Sequence, residues 1–229
     1  RDPWSRERRH PGALQPVRVG LPDAAELEFF GDEAMEAAHR AARSTVEALF
    51  DTIVNPPLKP FLDAGALLYQ GPWVAERLAE FGDFLESDPG AVLPVISDII
   101  RGGARFTAVD VFRAQYRLAE LKTEVDELFT TMDVLILPTI GTTFTVPQVL
   151  ADPIATNTTL GHYTHFGNLL DLCAVAVPAG TTADGRPAST MVLGPALSDD
   201  LVLAVAALIA AGPPRRLARA DGVGSLASA

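Results

Sequence analysis

Residues 67–77 read Leu-Leu-Tyr-Gln-Gly-Pro-Trp-Val-Ala-Glu-Arg and set a phenol (Tyr69), an indole (Trp73) and a guanidinium (Arg77) around a Gly71-Pro72 break. A guanidinium fork suits a carboxylate bidentately, and a phenol can hydrogen-bond an amide or urea-like group. In an unbroken helix the spacing from Tyr69 to Arg77 gives a rise of about 12 Å and a rotation of about 80°. The pair would then bracket a cleft, and the Gly-Pro break changes their mutual angle. The competing reading is that Tyr69 packs and Arg77 bridges to Glu76 or Glu80; composition alone favours it.

Other reactive groups carry less. His162 and His165 are three apart and would share a helix face, but they lack a matched third ligand, so no metal site is expected. Cys173 lies in an apolar run without an electropositive neighbour and reads as core. There is no G-x-S-x-G elbow, no phosphate-binding loop and no H-E-x-x-H.

The 229 residues carry Asp+Glu 29 against Lys+Arg 18, a net charge of −11. No basic tract offsets this acidity, which argues against nucleic-acid binding. A single cysteine excludes a disulfide scaffold and fits cytoplasmic residence. No apolar run is long enough to span a bilayer, and the charged opening, Arg1 to His10, is no secretory signal, so no membrane partner is expected.

The elements that would hold these groups alternate between helix and strand. Residues 17–21 read as a strand, Asp32 caps a helix to about Phe50, and Thr52 to Pro57 reads as a second strand, an α/β unit. Pro60 to Leu85 reads as a helix broken at Gly71-Pro72, Asp88-Pro89-Gly90 as a turn, and Pro94 to Arg101 as a short helix stopped by Gly102-Gly103. Thr107 caps a long helix to about Thr131. Asp133 to Thr139 reads as a strand buried on both faces, and so does Ala174 to Pro178. Gly141 to Thr159, rich in Thr, Pro and Asn, reads as a long loop, with a short helix after Leu160. Asp184-Gly185 is the tip of a hairpin returning through Ser189 to Leu193, and Ser198 caps a last helix to Ala211. The expected fold class is α/β, a mixed β-sheet covered by helices.

Three segments occur together in order: Asp133-Val-Leu-Ile-Leu-Pro-Thr139; Phe166-Gly-Asn168 running into Val177-Pro178-Ala-Gly180; and Asp184-Gly-Arg-Pro187 before a strand. This resembles the C-terminal half of amidase signature enzymes. Leu68 to Arg77, Leu27 to Asp32 and Leu160 to Asp171 are similar to segments of the allophanate hydrolase subgroup. Asp2-Pro3-Trp4-Ser5-Arg6 resembles an internal piece of that subgroup, and the resemblance spans roughly residues 2–212.

The resemblance implies a partial amidase signature fold and a hydrolase of linear amides, with allophanate going to ammonia and carbon dioxide in urea degradation. It implies a serine nucleophile, a second serine in a cis peptide and a lysine. The chain holds no matching Gly/Ser-rich run; Gly102-Gly103-Ala104 does not match, and neither Lys59 nor Lys122 has the lysine's context. No catalytic residue is therefore assigned here. Tyr69 and Arg77 align with positions implied to bind allophanate. The expected organisation is a lead-in at 1–15, the C-terminal portion of an amidase domain at 16–212, and a disordered tail at 213–229. The expectation is half of an amidase domain, truncated or split, inactive alone and needing no cofactor. Its expected partners are a small-molecule amide, the missing N-terminal half of the domain and, as an open assembly, a second copy in a homodimer. The alternatives are another amidase, or a non-catalytic subunit needing an N-terminal partner.

Overall fold

The computed structural model describes residues 16–212. The expected lead-in at 1–15 and tail at 213–229 lie outside the described residues. Arg18–Gly20 (β1), Glu33–Leu49 (α1) and Thr52–Val54 (β2) form the expected βαβ unit, with β1 and β2 parallel. Asp32 caps α1 by accepting the Met35 N–H. Lys59–Gln70 (α2), Trp73–Ser87 (α3), Pro94–Arg101 (α4) and Ala108–Thr131 (α5) follow. Thr107 and Asp110 close a capping box at the start of α5.

Val134–Pro138 (β3) runs parallel to β1, then Leu172–Thr181 (β4) and Pro187–Pro195 (β5) form an antiparallel hairpin. The sheet is mixed, five strands in the order β2-β1-β3-β5-β4. β3 is buried throughout, as its continuous apolar run requires. Val134 and Ile136 face a cluster with Val46 of α1, Phe50 just after it, and Val202, Val205 and Ile209 of Asp199–Ala211 (α9). Leu135 and Leu137 face the opposite cluster, with Phe61 of α2, Leu121 and Val125 of α5, and Tyr163 and Phe166. The result is three layers, helix–sheet–helix. Among the described residues no helix is long and apolar enough to cross a membrane.

Three expectations are corrected. Residues 141–159 are not one loop: they hold Val146–Ala151 (α6) and Pro153–Leu160 (α7). Thr145 and Gln148 form a capping box for α6, and Asp152 accepts the Ala155 N–H to cap α7. β4 is not buried on both faces: among the described residues it is an edge strand that pairs only with β5. Its Val177 is buried, while Ala174, Ala176 and Pro178 on the other face are exposed. Ser198 makes no side-chain cap for α9; its hydroxyl donates instead to the Pro195 carbonyl at 2.7 Å.

Candidate functional site

The Gly71-Pro72 break is real and separates two helices. Gly71 donates its N–H to Leu67 O at 3.0 Å and ends α2; Pro72 then accepts the Ala75 N–H at 2.9 Å and starts α3. A side chain at residue 71 would run into the Leu67 carbonyl, so glycine is required by close approach. Tyr69 is the last residue but one of α2, and Arg77 is in the second turn of α3. The straight-helix geometry therefore does not apply, and the two positions flank the break from different helices. Arg77 is half-buried and has an interaction partner in the structure.

Two packing contacts fix these helices. Gly65 of α2 lies against His165 Cβ and Phe166 N, at the start of His165–Leu169 (α8). Position 69 comes four residues later in α2. Gly103 lies against the Val74 carbonyl and Ala75 Cα, so the 3₁₀ turn Gly102–Arg105 backs onto the first turn of α3. Cavities open on both sides of that turn. One, about 390 Å³, is lined by Pro72, Trp73 and Glu76 of the break and by Val111 and Gln115 of α5. The other, about 680 Å³, runs from Val74 to Ile99, Arg105, Ile154 and Asn157. Arg77 lies one turn beyond Val74, on the same helical face.

Other motif residues anchor this frame, a role the sequence did not reveal. Arg186, in the hairpin turn, grips the Asp32 carboxylate with two nitrogens, at 2.5 and 2.9 Å. Thr142 donates to the same carboxylate at 2.8 Å. Hydrogen bonds from the Arg186 guanidinium, the Met35 amide and Thr142 hold the Asp32 carboxyl well below the usual carboxylate range, against the cost of burial. The hairpin, the α1 N-terminus and the loop after β3 are thus tied at one point.

Tyr163, fully buried, accepts the Glu28 N–H at 2.7 Å and donates to Glu28 O at 2.9 Å. Burial pushes its phenol up to about 12. Glu26 accepts the Leu58 N–H at 2.8 Å at the start of α2. The signal for these anchors was present in the motif words, since Asp32 and Arg186 lie in segments shared with amidases; only the fold shows that they touch.

His162 precedes α8, so the two histidines do not share a helix face. Burial depresses both imidazoles, and His162 adds to the effect on His165. Among the described residues no group of three or more His, Cys, Asp or Glu is placed to hold a metal ion. Cys173 Sγ lies 3.3 Å from Ser198 Oγ and 3.4 Å from Pro195 O.

Helices on both faces of a mixed five-stranded sheet and the ordered C-terminal motifs together define a class. The amidase family model matches residues 5–203, and the chain belongs to the amidase family. It is 31% identical over 193 residues to the urea amidolyase of Lachancea kluyveri, a match that covers 83% of this chain and 10% of that protein. The solved allophanate hydrolase of Kluyveromyces lactis superposes with a TM-score of 0.79 at 30% identity, covering 83% of this chain and 31% of that one. A glutamyl-tRNA(Gln) amidotransferase subunit of Thermotoga maritima shares the fold, at 20% identity and a TM-score of 0.61, covering 83% of this chain and 41% of that one. The chain thus spans about a tenth of the length of the curated urea amidolyases it matches.

Proposed function

We propose that this chain forms the substrate-holding wall of an allophanate-hydrolase-type amidase. Arg77 would hold the carboxylate of a small anionic amide, and Tyr69 would hydrogen-bond its urea-like end. The observation that carries this reading is the α2–α3 break, which leaves Tyr69 and Arg77 on different helices either side of Gly71, where an added side chain would meet the Leu67 carbonyl. Similarity to a urea amidolyase and to an allophanate hydrolase supports the choice of substrate. The described region, 16–212, would be the C-terminal portion of the amidase domain. The serine–cis-serine–lysine chemistry would come from residues outside these 229, in a segment that completes the domain.

Two measurements on the full chain test this. Calorimetric titration with allophanate should give binding that Arg77→Ala abolishes and Arg77→Lys weakens, because an ammonium cannot form the bidentate fork. Unchanged affinity in Arg77→Ala would overturn the recognition role. The chain by itself should release no ammonia from allophanate; release would place the hydrolytic groups within it.

A further inference from the structure

We infer that the cavity between α4 and α7 is a binding site for a free α-amino acid with an aliphatic side chain. Its volume, about 680 Å³, falls in the range of small-molecule sites. The wall is aliphatic: Val74 of α3, Val95, Ile96 and Ile99 of α4, and Ile154 of α7. Ile96 and Ile154 are 43% and 59% exposed, so this apolar wall meets solvent where no described side chain covers it.

Two opposite charges share the cavity. Asp98 of α4 and Arg105 of the 3₁₀ turn both line it, and both are exposed. Among the described residues neither side chain forms an ion pair or a hydrogen bond, so they do not neutralise each other. Arg101 and Arg117, by contrast, are bound to Glu86 and Glu120. The Arg105 guanidinium instead lies over the Phe106 ring, 4.8 Å from its centroid, which restrains it. On α7, Asn157 Nδ2 donates to Pro153 O at 2.6 Å and Thr158 Oγ1 to Ile154 O at 2.8 Å. With Thr158's hydroxyl proton engaged, its oxygen is left to accept, and so is the Asn157 amide oxygen.

This set suits one ligand chemistry at three points. A guanidinium takes a carboxylate, a carboxylate and acceptor oxygens take an ammonium, and aliphatic side chains take a hydrocarbon. A plain carboxylate would bring a second negative charge beside Asp98, and a plain amine a second positive charge beside Arg105. A ligand carrying both charges avoids either like-charge contact. Arg77 is not among the lining residues, so the inference stands apart from the allophanate reading.

Calorimetric titration of the full chain with L-leucine tests it. Leucine should bind. The compounds 4-methylpentanoate and 3-methylbutylamine, which keep the hydrocarbon and one charge each, should bind at least about tenfold more weakly. Glycine, with both charges and no side chain, should be weaker by at least about tenfold. Arg105→Met and Asp98→Asn should each weaken leucine by at least about tenfold, with unchanged circular dichroism because both side chains are exposed. No leucine binding at millimolar concentration, equal affinity for leucine and any of the three partial ligands, or leucine affinity indifferent to either substitution overturns the inference.

Discussion

At the scale of single residues, the side chains of clearest consequence outside the candidate site are buried polar groups. His39 on α1 is 9% exposed, packs 5.6 Å from the Phe29 ring and leaves Nδ1 without a hydrogen bond among the described residues. Burial, with a smaller contribution from the Arg43 charge, depresses the imidazole from 6.5 to about 4. The unfolded chain therefore takes up a proton that the folded one refuses. Stability is complete above pH 6.5 and falls as pH drops from 6.5 to about 4, by about 3 kcal/mol in all. Urea midpoints measured across this window should show the slope, and His39→Leu should flatten it. Asp32 acts in a second, lower window. Its depressed carboxyl adds stability above the unfolded value, and this is lost as pH falls below about 4. Removing the guanidinium in Arg186→Met leaves a largely buried carboxylate without its main partner. It should cost about 3 kcal/mol, read as a drop of roughly 6–12 °C in thermal midpoint. Asp32→Asn on the same background should recover part of that loss, since the stranded charge is gone.

At the scale of elements, the α2–α3 junction is defined by what it excludes. Gly71→Ala would drive a methyl into the Leu67 carbonyl, and Gly103→Ala would press one on the Val74 carbonyl. Each should cost about 1–3 kcal/mol through forced backbone shifts, while neighbouring Gly102→Ala, which meets nothing, should be neutral. Differential scanning calorimetry of the three variants checks this. If Gly102→Ala and Gly103→Ala behave alike, the packing of the 3₁₀ turn on α3 is not what fixes the junction. The elements also show what the sequence made legible. Strong caps and long apolar stripes, as in α1 and α5, were readable from one chain position to the next. The helices α6 and α7 were hidden by a Thr- and Pro-rich composition, although Thr145-Val-Pro-Gln148 and Asp152-Pro153 were valid start signals. The burial of β4 was not readable, because Ala and Val are equally at home in a central strand and in an edge strand whose far face is open.

At the scale of the whole molecule, the strand order and the charge–hydrogen-bond anchors depend on contacts across 110 or more positions, such as Thr142 with Asp32 and Arg186 with Asp32. Local pattern cannot supply those; the ordered family motifs did so for the fold, and geometry alone did so for the anchors. The same view exposes an asymmetry in the sheet. Among the described residues, α1 and α9 cover one side of the β4–β5 hairpin, while Ala174, Ala176 and Pro178 on the other side of β4 meet solvent. An open strand edge beside an open apolar face is a template for pairing with another unfolded or native chain. Lysines at both alanine positions should block that pairing without touching the core, since surface changes of this kind usually shift stability by less than about 0.5 kcal/mol each. The expected result for Ala174→Lys/Ala176→Lys is a thermal midpoint close to wild type, with less light scattering on heating and greater recovery on cooling. Were the midpoint instead to fall by several degrees, those side chains would be packed in the folded chain and the open-face description of β4 would be wrong. Were the scattering unchanged at a constant midpoint, aggregation would start elsewhere, and the exposed Phe112 and Tyr116 rings of α5 would be the next surface to alter.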